Sequence, residues 1–464
     1  MTRKIMPLIA IAALAAAALL SSCSGSTKPS QAETATPQHV TTTTASPSAP
    51  RGADALPLQY AECMRAHGVS KFPNPVDGHI MLNPSSGINP ESSTFQAASK
   101  RCAQYSPSGG ASSGDVRGTV SGGSDTKAAA VTQATWEQYA EWLKQQAASG
   151  QFSGTVLVAD DDKTMLDAGY GFADRITHAP NAPQTLFCIA SIGKLFTAVA
   201  IGQLAEQHKV SFDAPVGRYV SGLPARIADH VTIAELLDMT SGLNDAVLGS
   251  ANPPRTLAGQ VSLIAREPLQ FEPGAKTLYS NDGFILLGAV VQQVSGQSYG
   301  DYLRQHILDP AGMTHTGYST YIPKEVPGMA HGYALVGSKL HDISSQPQIA
   351  NPSGGAYATT SDLLAFARAL LDHRLLTPAM TATILTPRVN APQPGGPPID
   401  KFTYGFAYQQ ENGVTFIGHN GGTPGYTDQI DIYPHSGYVV IIFTNQDGTL
   451  ISAIQRSEQI LTGS

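Results

Sequence analysis

Charged side chains are scarce in this 464-residue chain, where Asp, Glu, Lys and Arg together make up 14%. Acids outnumber Lys and Arg by 35 to 28, and the formal net charge of −7 gives no electrostatic case for binding nucleic acid. There are only four cysteines, and neither they nor the histidines fall at zinc-ligand spacing. A His-Glu-x-x-His helix and a glycine-rich nucleotide loop are also missing, so no metal and no cofactor is expected. Beyond residue 20 no second long apolar run occurs. What the chain does have is 42% hydrophobic residues, 45 glycines and 32 prolines. That is ample core for one large domain or two to three ordinary ones.

Arg3 and Lys4 precede an apolar run from Ile5 to Leu20, the pattern of a secretion signal over residues 1–22. An uncleaved transmembrane helix is the alternative, but a span needs about 20 apolar residues. The run ends in Leu20-Ser21-Ser22-Cys23, which resembles the bacterial lipobox. That resemblance implies a lipid on Cys23, a chain anchored to the bacterial cell membrane, and an extracytoplasmic location. Residues 23–54, rich in Thr, Ser, Pro and Ala, read as a flexible tether. Residues 55–106 hold two helical stretches around Cys63 and Cys102 and resemble a small two-cysteine module of actinobacterial lipoproteins. With Cys23 set aside, Cys63 and Cys102 are the natural disulfide in an oxidising compartment, and Cys188 is a buried free thiol. Residues 107–127 are a Gly/Ser linker.

From 128 to 464 the chain is continuously patterned. Trp136, Tyr139 and Trp142 share one face of a helix over 135–148. Strands are predicted at 152–159 and 164–170, and again at 403–409, 413–418, 425–432 and 437–444. Helices are predicted at 191–208, 232–239, 281–296, 298–308 and 360–372, with a closing helix to about 462. Strands at both ends with helices between them define the expected fold class, α/β (α+β). An antiparallel sheet joins the two termini, flanked by helices and accompanied by a mainly helical lobe.

Three strings in this region carry chemistry. Ser191 and Lys194 lie three apart at the start of an apolar helix, so they share a face near free backbone N–H groups. They are either a nucleophile with its base or a capping serine with a solvated lysine; the apolar Leu195-Phe-Thr-Ala-Val-Ala-Ile run opposes the second. The same spacing at Ser124 and Lys127 lies in the linker, as does a Gly-x-Ser-x-Gly string at 110–114, with no strand or helix to support either. Tyr279-Ser-Asn281 is the chain's single Tyr-x-Asn: a phenol able to relay a proton and an amide able to orient a lysine, or simply a loop tyrosine and a cap. His419-Asn-Gly421-Gly422 comes at the end of a predicted strand, unlike His315-Thr-Gly and His435-Ser-Gly. Its glycines leave room for a substrate along the strand edge.

In this order, Ser-x-x-Lys, Tyr-Ser-Asn and His-x-Gly resemble the serine β-lactamase and penicillin-recognising superfamily, in the branch of class C enzymes, D,D-peptidases and carboxylesterases. Leu236-Leu-Asp-Met-Thr-Ser-Gly-Leu243, Asp309-Pro-Ala-Gly-Met and Gly354-Gly-Ala-Tyr extend the likeness over 128–464. The resemblance implies a β-lactamase/transpeptidase-like fold with Ser191 as nucleophile and Lys194 as base. It also implies that Tyr279 helps acylation and deacylation, and that Asn281 binds Lys194 and a substrate amide. The N–H groups of Ser191 and Gly422 would form the oxyanion hole, and His419 would stand where true β-lactamases have lysine.

Two departures bear on substrate. Histidine at 419 offers at most partial charge near neutrality, and Gln409 and Gln410 stand where certain D,D-peptidase relatives have arginine. Both weaken the anchor for a terminal carboxylate. The expected function is therefore a serine hydrolase working through an acyl-enzyme on small ester or amide substrates. A D-alanyl-D-alanine carboxypeptidase or class C-like β-lactamase acting on cell-wall peptide or lactam is the alternative. A non-catalytic penicillin-binding or sensing surface protein is the second.

Overall fold

The computed structural model describes residues 55–72, 98, 101–102, 131–391 and 399–463. They fall into two compact units, one within Met1–Val120 and one within Ser121–Ser464. In the first, helix α1 (Ala55–Ala66) contributes Ala61 and Met64 to a small cluster with Val69, Phe72, Ala98 and Cys102. A disulfide joins Cys63 to Cys102, with Cα atoms 5.7 Å apart. Such a small core needs a staple of this kind.

The second unit is built on eight strands: β1 (Gly154–Asp160), β2 (Lys163–Tyr170), β3 (Val389–Asn390), β4 (Lys401–Phe402), β5 (Ala407–Glu411), β6 (Val414–Thr423), β7 (Tyr426–Ile432) and β8 (Tyr438–Thr444). Their order is β2-β1-β8-β7-β6-β5-β4-β3, and every neighbouring pair is antiparallel. The ends of the patterned region thus meet at β1–β8, where Val158 faces Val440 and Val156 faces Ile442. Period-two alternation divides these strands between two cores. Val156, Val158, Val440 and Ile442 pack with α2 (Gln133–Ala148) and the closing helix, while Leu157, Ala159, Val439, Ile441 and Phe443 face the main core.

Helix α2 starts at Thr132, whose hydroxyl accepts the Thr135 N–H. It buries Trp136, Tyr139 and Leu143, a spacing of three then four. Trp142, expected on that face, is only half-buried because it lies one residue short of the stripe; it stacks on Tyr139 and under the Arg456 guanidinium. Helix α3 (Gly193–Glu206) is apolar all round and sits inside the main core, with eleven of its residues buried. Helix α4 (Asn281–Ser295) is capped by the Ser280 hydroxyl, which accepts the Gly283 N–H. Helices α5 (Thr360–Leu371) and α6 (Ile451–Thr462) complete the layers. Among the described residues no helix is long and apolar enough to cross a membrane.

Several elements differ from expectation, among them the following. Thr403–Phe406 is a turn, its Thr403 hydroxyl accepting the Phe406 N–H, so the strand predicted from 403 begins at Ala407. Strand β6 runs five residues past its predicted end, because β7 pairs with it as far as Thr423. A helix over Leu257–Ile264, capped by Thr256, was not predicted from the sequence pattern.

Candidate active site

Ser191 lies in one 3₁₀ turn, Ala190–Ile192, that leads into α3. The turn is forced: Ala190 has a φ of +37°, a left-handed conformation an alanine adopts only when its surroundings impose it. Those surroundings are backbone on both sides. A Cβ on Gly354 would stand 2.4 Å from the Ala190 carbonyl oxygen, and one on Gly421 would stand 2.6 Å from the Ile189 carbonyl oxygen. Only glycine lets the 354 loop and strand β6 close on the serine from opposite sides.

The Ser191 hydroxyl caps no helix, and Lys194 is not solvated. Lys194 is fully buried in the first turn of α3, with Nζ 3.1 Å from Ser191 Oγ, 2.6 Å from Asn281 Oδ1 and 2.8 Å from the Ser353 carbonyl oxygen. Its Nζ also sits 4.7 Å from the centre of the Tyr279 ring and 5.6 Å from that of Phe284. Burial drives its pKa down from 10.5 to about 7, opposed by the negative charge of Asp245. Tyr279 is held well above the usual phenol value by burial, opposed by its hydrogen bond with Ser191.

His419 is 2% exposed and its ring lies 6.0 Å from that of Tyr279. Nδ1 contacts the Asn420 carbonyl oxygen at 2.5 Å, while Nε2 is buried with no partner. Burial and the neighbouring Lys194 push its pKa down to about 3, so the ring is neutral at any physiological pH. Strand β5 leaves β6 at the Ala407–Gly418 pair, so among the described residues His419–Thr423 has β7 on one side and no strand on the other.

Above the serine is a pocket of about 250 Å³. Ser191, Asn281 and Gly422 line it, and a Cβ on Gly422 would meet nothing within 4 Å. Val247, Leu248, Pro253, Pro347 and Ile349 supply apolar walls, with Leu248 65% exposed at the mouth. No Asp, Glu, Lys, Arg or His lines it among the described residues.

The structure thus gathers Ser191, Lys194, Tyr279, Asn281, His419, Gly421 and Gly422 at one place. Cys63 and Cys102 belong to the other unit, and Cys23 lies outside the described residues. One expectation changes in detail. Asn281 Nδ2 donates to Asp245 Oδ2 at 3.0 Å, so the amide has a protein partner besides any substrate. Sequence reading missed Asp245, Ser353 and the strained Ala190. Asp245 follows the Thr-Ser-Gly-Leu string by two residues, but nothing in its spacing pointed across to residue 281.

Fold and site together are those of a serine hydrolase. The chain belongs to the Beta-lactamase family, whose model matches residues 139–462. It is 30% identical over 320 residues to penicillin-binding protein 4* of Bacillus subtilis, covering 64% of this chain and 69% of that one. It is 26% identical over 303 residues to the teichoic acid D-alanine hydrolase of Staphylococcus aureus, covering 65% and 72%. The crystal structure of a penicillin-binding protein from Bacillus halodurans superposes with a TM-score of 0.61 at 32% identity, over 68% of this chain and 98% of that one.

Proposed function

We propose that Ser191 is the nucleophile and that neutral Lys194 takes its proton as Oγ attacks the substrate carbonyl carbon. The N–H groups of Ser191 and Gly422 hold the resulting oxyanion. Tyr279 stays protonated and relays the proton from Lys194 to the leaving oxygen or nitrogen, so the C–O or C–N bond breaks and an acyl-Ser191 remains. Water then attacks the acyl carbonyl and gives its proton to Lys194 by the same relay; the bond from the acyl carbon to Ser191 Oγ breaks, Lys194 returns the proton to Oγ, and the acid leaves.

The substrate we infer is a small uncharged acyl ester or amide. The observation that carries this is the pocket wall, apolar and amide-lined with no charged side chain. A substrate ending in a carboxylate finds no cation there, and His419, buried and neutral, does not supply one. This favours the esterase/amidase reading over the D-alanyl-D-alanine carboxypeptidase and class C-like β-lactamase readings. Short-chain p-nitrophenyl esters, D-alanyl esters, D-Ala-D-Ala peptides and nitrocefin form the discriminating panel. We expect ester turnover that disappears in Ser191→Ala, with the two carboxylate substrates slower by a factor of at least about 100. Preferential D-Ala-D-Ala cleavage would overturn the substrate reading. Failure of the full chain to label with a fluorophosphonate, together with no turnover, would leave the sensing role.

We further propose that Cys23 carries a lipid and that the domain works outside the cytoplasmic membrane. The support is the Leu20-Ser-Ser-Cys23 string and its preceding apolar run. Metabolic labelling with a fatty-acid probe should mark the protein and lose the mark in Cys23→Ala; equal labelling of both sinks the proposal.

A further inference from the structure

Asp245 gives both carboxylate oxygens to a single residue. Oδ1 accepts the Asn281 backbone N–H at 2.6 Å and Oδ2 accepts Asn281 Nδ2 at 3.0 Å. A side-chain amide bound in this way has one orientation. Its nitrogen is turned to the carboxylate, so its oxygen is left for Lys194 Nζ at 2.6 Å. The flipped amide would set two donors against each other on the lysine side and an oxygen against a carboxylate on the other.

The consequence falls on the lysine. A neutral amine has two N–H donors and one lone pair. Two of the three groups around Nζ, Asn281 Oδ1 and the Ser353 carbonyl oxygen, can only accept. Both N–H bonds are therefore committed to them, and the lone pair is left facing Ser191 Oγ, the one neighbour able to donate. The Tyr279 and Phe284 rings close the remaining sides. We propose that Asp245 is a positioning residue for the Ser191–Lys194 pair: by fixing the Asn281 amide in one orientation, it aims the lysine lone pair at the serine hydroxyl.

Asp245 is itself held in place. Asp282, the next residue on α4, accepts the Ala246 N–H at 2.7 Å and the Val247 N–H at 3.3 Å. Two carboxylates thus tie the 245–247 loop and the first turn of α4 to each other, and only Asp245 touches Asn281. The pair separates a positioning effect from a merely structural one. The charge that acts on Lys194 is the Asp245 anion; the His419 ring nearby is neutral and Tyr279 stays a phenol.

This inference rests on the hydrolase reading and is tested in the full chain with p-nitrophenyl butyrate, following kcat and KM against pH and thermal unfolding in parallel. Asp245→Asn should lower kcat about tenfold or more with little change in KM. It should also move the acid limb of kcat/KM to lower pH, because an anion beside Lys194 has gone. Asp282→Asn should lower the unfolding temperature and leave that limb where it is. A wild-type kcat and an unmoved limb in Asp245→Asn overturn the proposal. So does an Asp282→Asn variant that reproduces both effects, since loop rigidity would then explain them. If Asp245→Asn does not fold, Asp245→Glu keeps the anion and misplaces its oxygens. It should keep the limb and lose kcat, and an undiminished kcat overturns the proposal equally. Absence of turnover by the unaltered protein would instead remove the hydrolase reading itself.

Discussion

Lys194 is a weak acid and a usable base for one reason: it is buried among partners that cannot hold its charge well. Two carbonyl-type oxygens and two aromatic faces replace water, and its pKa falls to about 7. The sign is direct. Below that value Nζ is protonated and has no lone pair for the serine proton; above it the base is free. The kcat/KM for a neutral ester should therefore rise with pH along a single limb centred near 7, measured by initial rates from pH 5 to 9. A limb near 10, the ordinary lysine range, would mean that the lysine is solvated in the working enzyme. Ser191, Lys194, Tyr279, Asn281 and His419 were all legible, because each belongs to a short string whose residue types serve one chemistry. Asp245 and Ser353 were not. One acts through a side chain 36 positions away, and the other offers only a backbone carbonyl, which no residue type announces.

Strand β6 shows what the element scale adds. Its sequence suggested an ending at Gly418; instead it continues to Thr423, paired over its last five residues, among those described, with β7 alone. Gly421 and Gly422 serve different ends. At 421 a Cβ would run into the Ile189 backbone, whereas at 422 it would enter open pocket space. Gly421→Ala should thus lower both the unfolding temperature and kcat, because β6 or the serine turn must shift. Gly422→Ala should unfold like the unaltered protein while losing kcat/KM on bulky acyl esters more than on acetate. Calorimetry beside a series of p-nitrophenyl esters checks both, and equal thermal behaviour of the two variants would refute the distinction. Chain pattern reveals that glycines are present. Which of them meets backbone depends on the neighbouring turn, residues 189–190, more than two hundred positions earlier.

Across the whole molecule the sheet draws both ends of the domain together, and this creates a buried acidic pair that pattern reading passed over. Asp431 on β7 and Glu458 on α6 are both buried, and desolvation raises both carboxyls far above their ordinary values of 3.8 and 4.5, with Asp431 raising Glu458 further. Gln429 Nε2 donates to Asp431 Oδ1 at 2.5 Å. Because the folded pKa values lie above the unfolded ones, these groups stabilise the fold at low pH and cease to do so as pH rises through about 7 to 8. His419 acts in the opposite direction: lowered to about 3, it costs stability as pH falls below 6.5. Asp431→Asn should flatten the fall in unfolding temperature between pH 5 and 8, measured by scanning calorimetry; an unchanged slope would show that the pair does not titrate there.

By itself the sequence determined the class of this protein. Alternating strands at the two ends and apolar helices between them led to an antiparallel sheet flanked by helices, and three short strings led to Ser191, Lys194, Tyr279, Asn281 and His419. Local periodicity and residue chemistry are written in neighbouring positions, so they can be read without coordinates. Only the tertiary structure decided that Lys194 is dry, that His419 carries no charge, that the pocket wall is uncharged, and that Asp245 governs the Asn281 amide. Each of these depends on which distant groups exclude water or supply a partner, and that is settled when the chain packs.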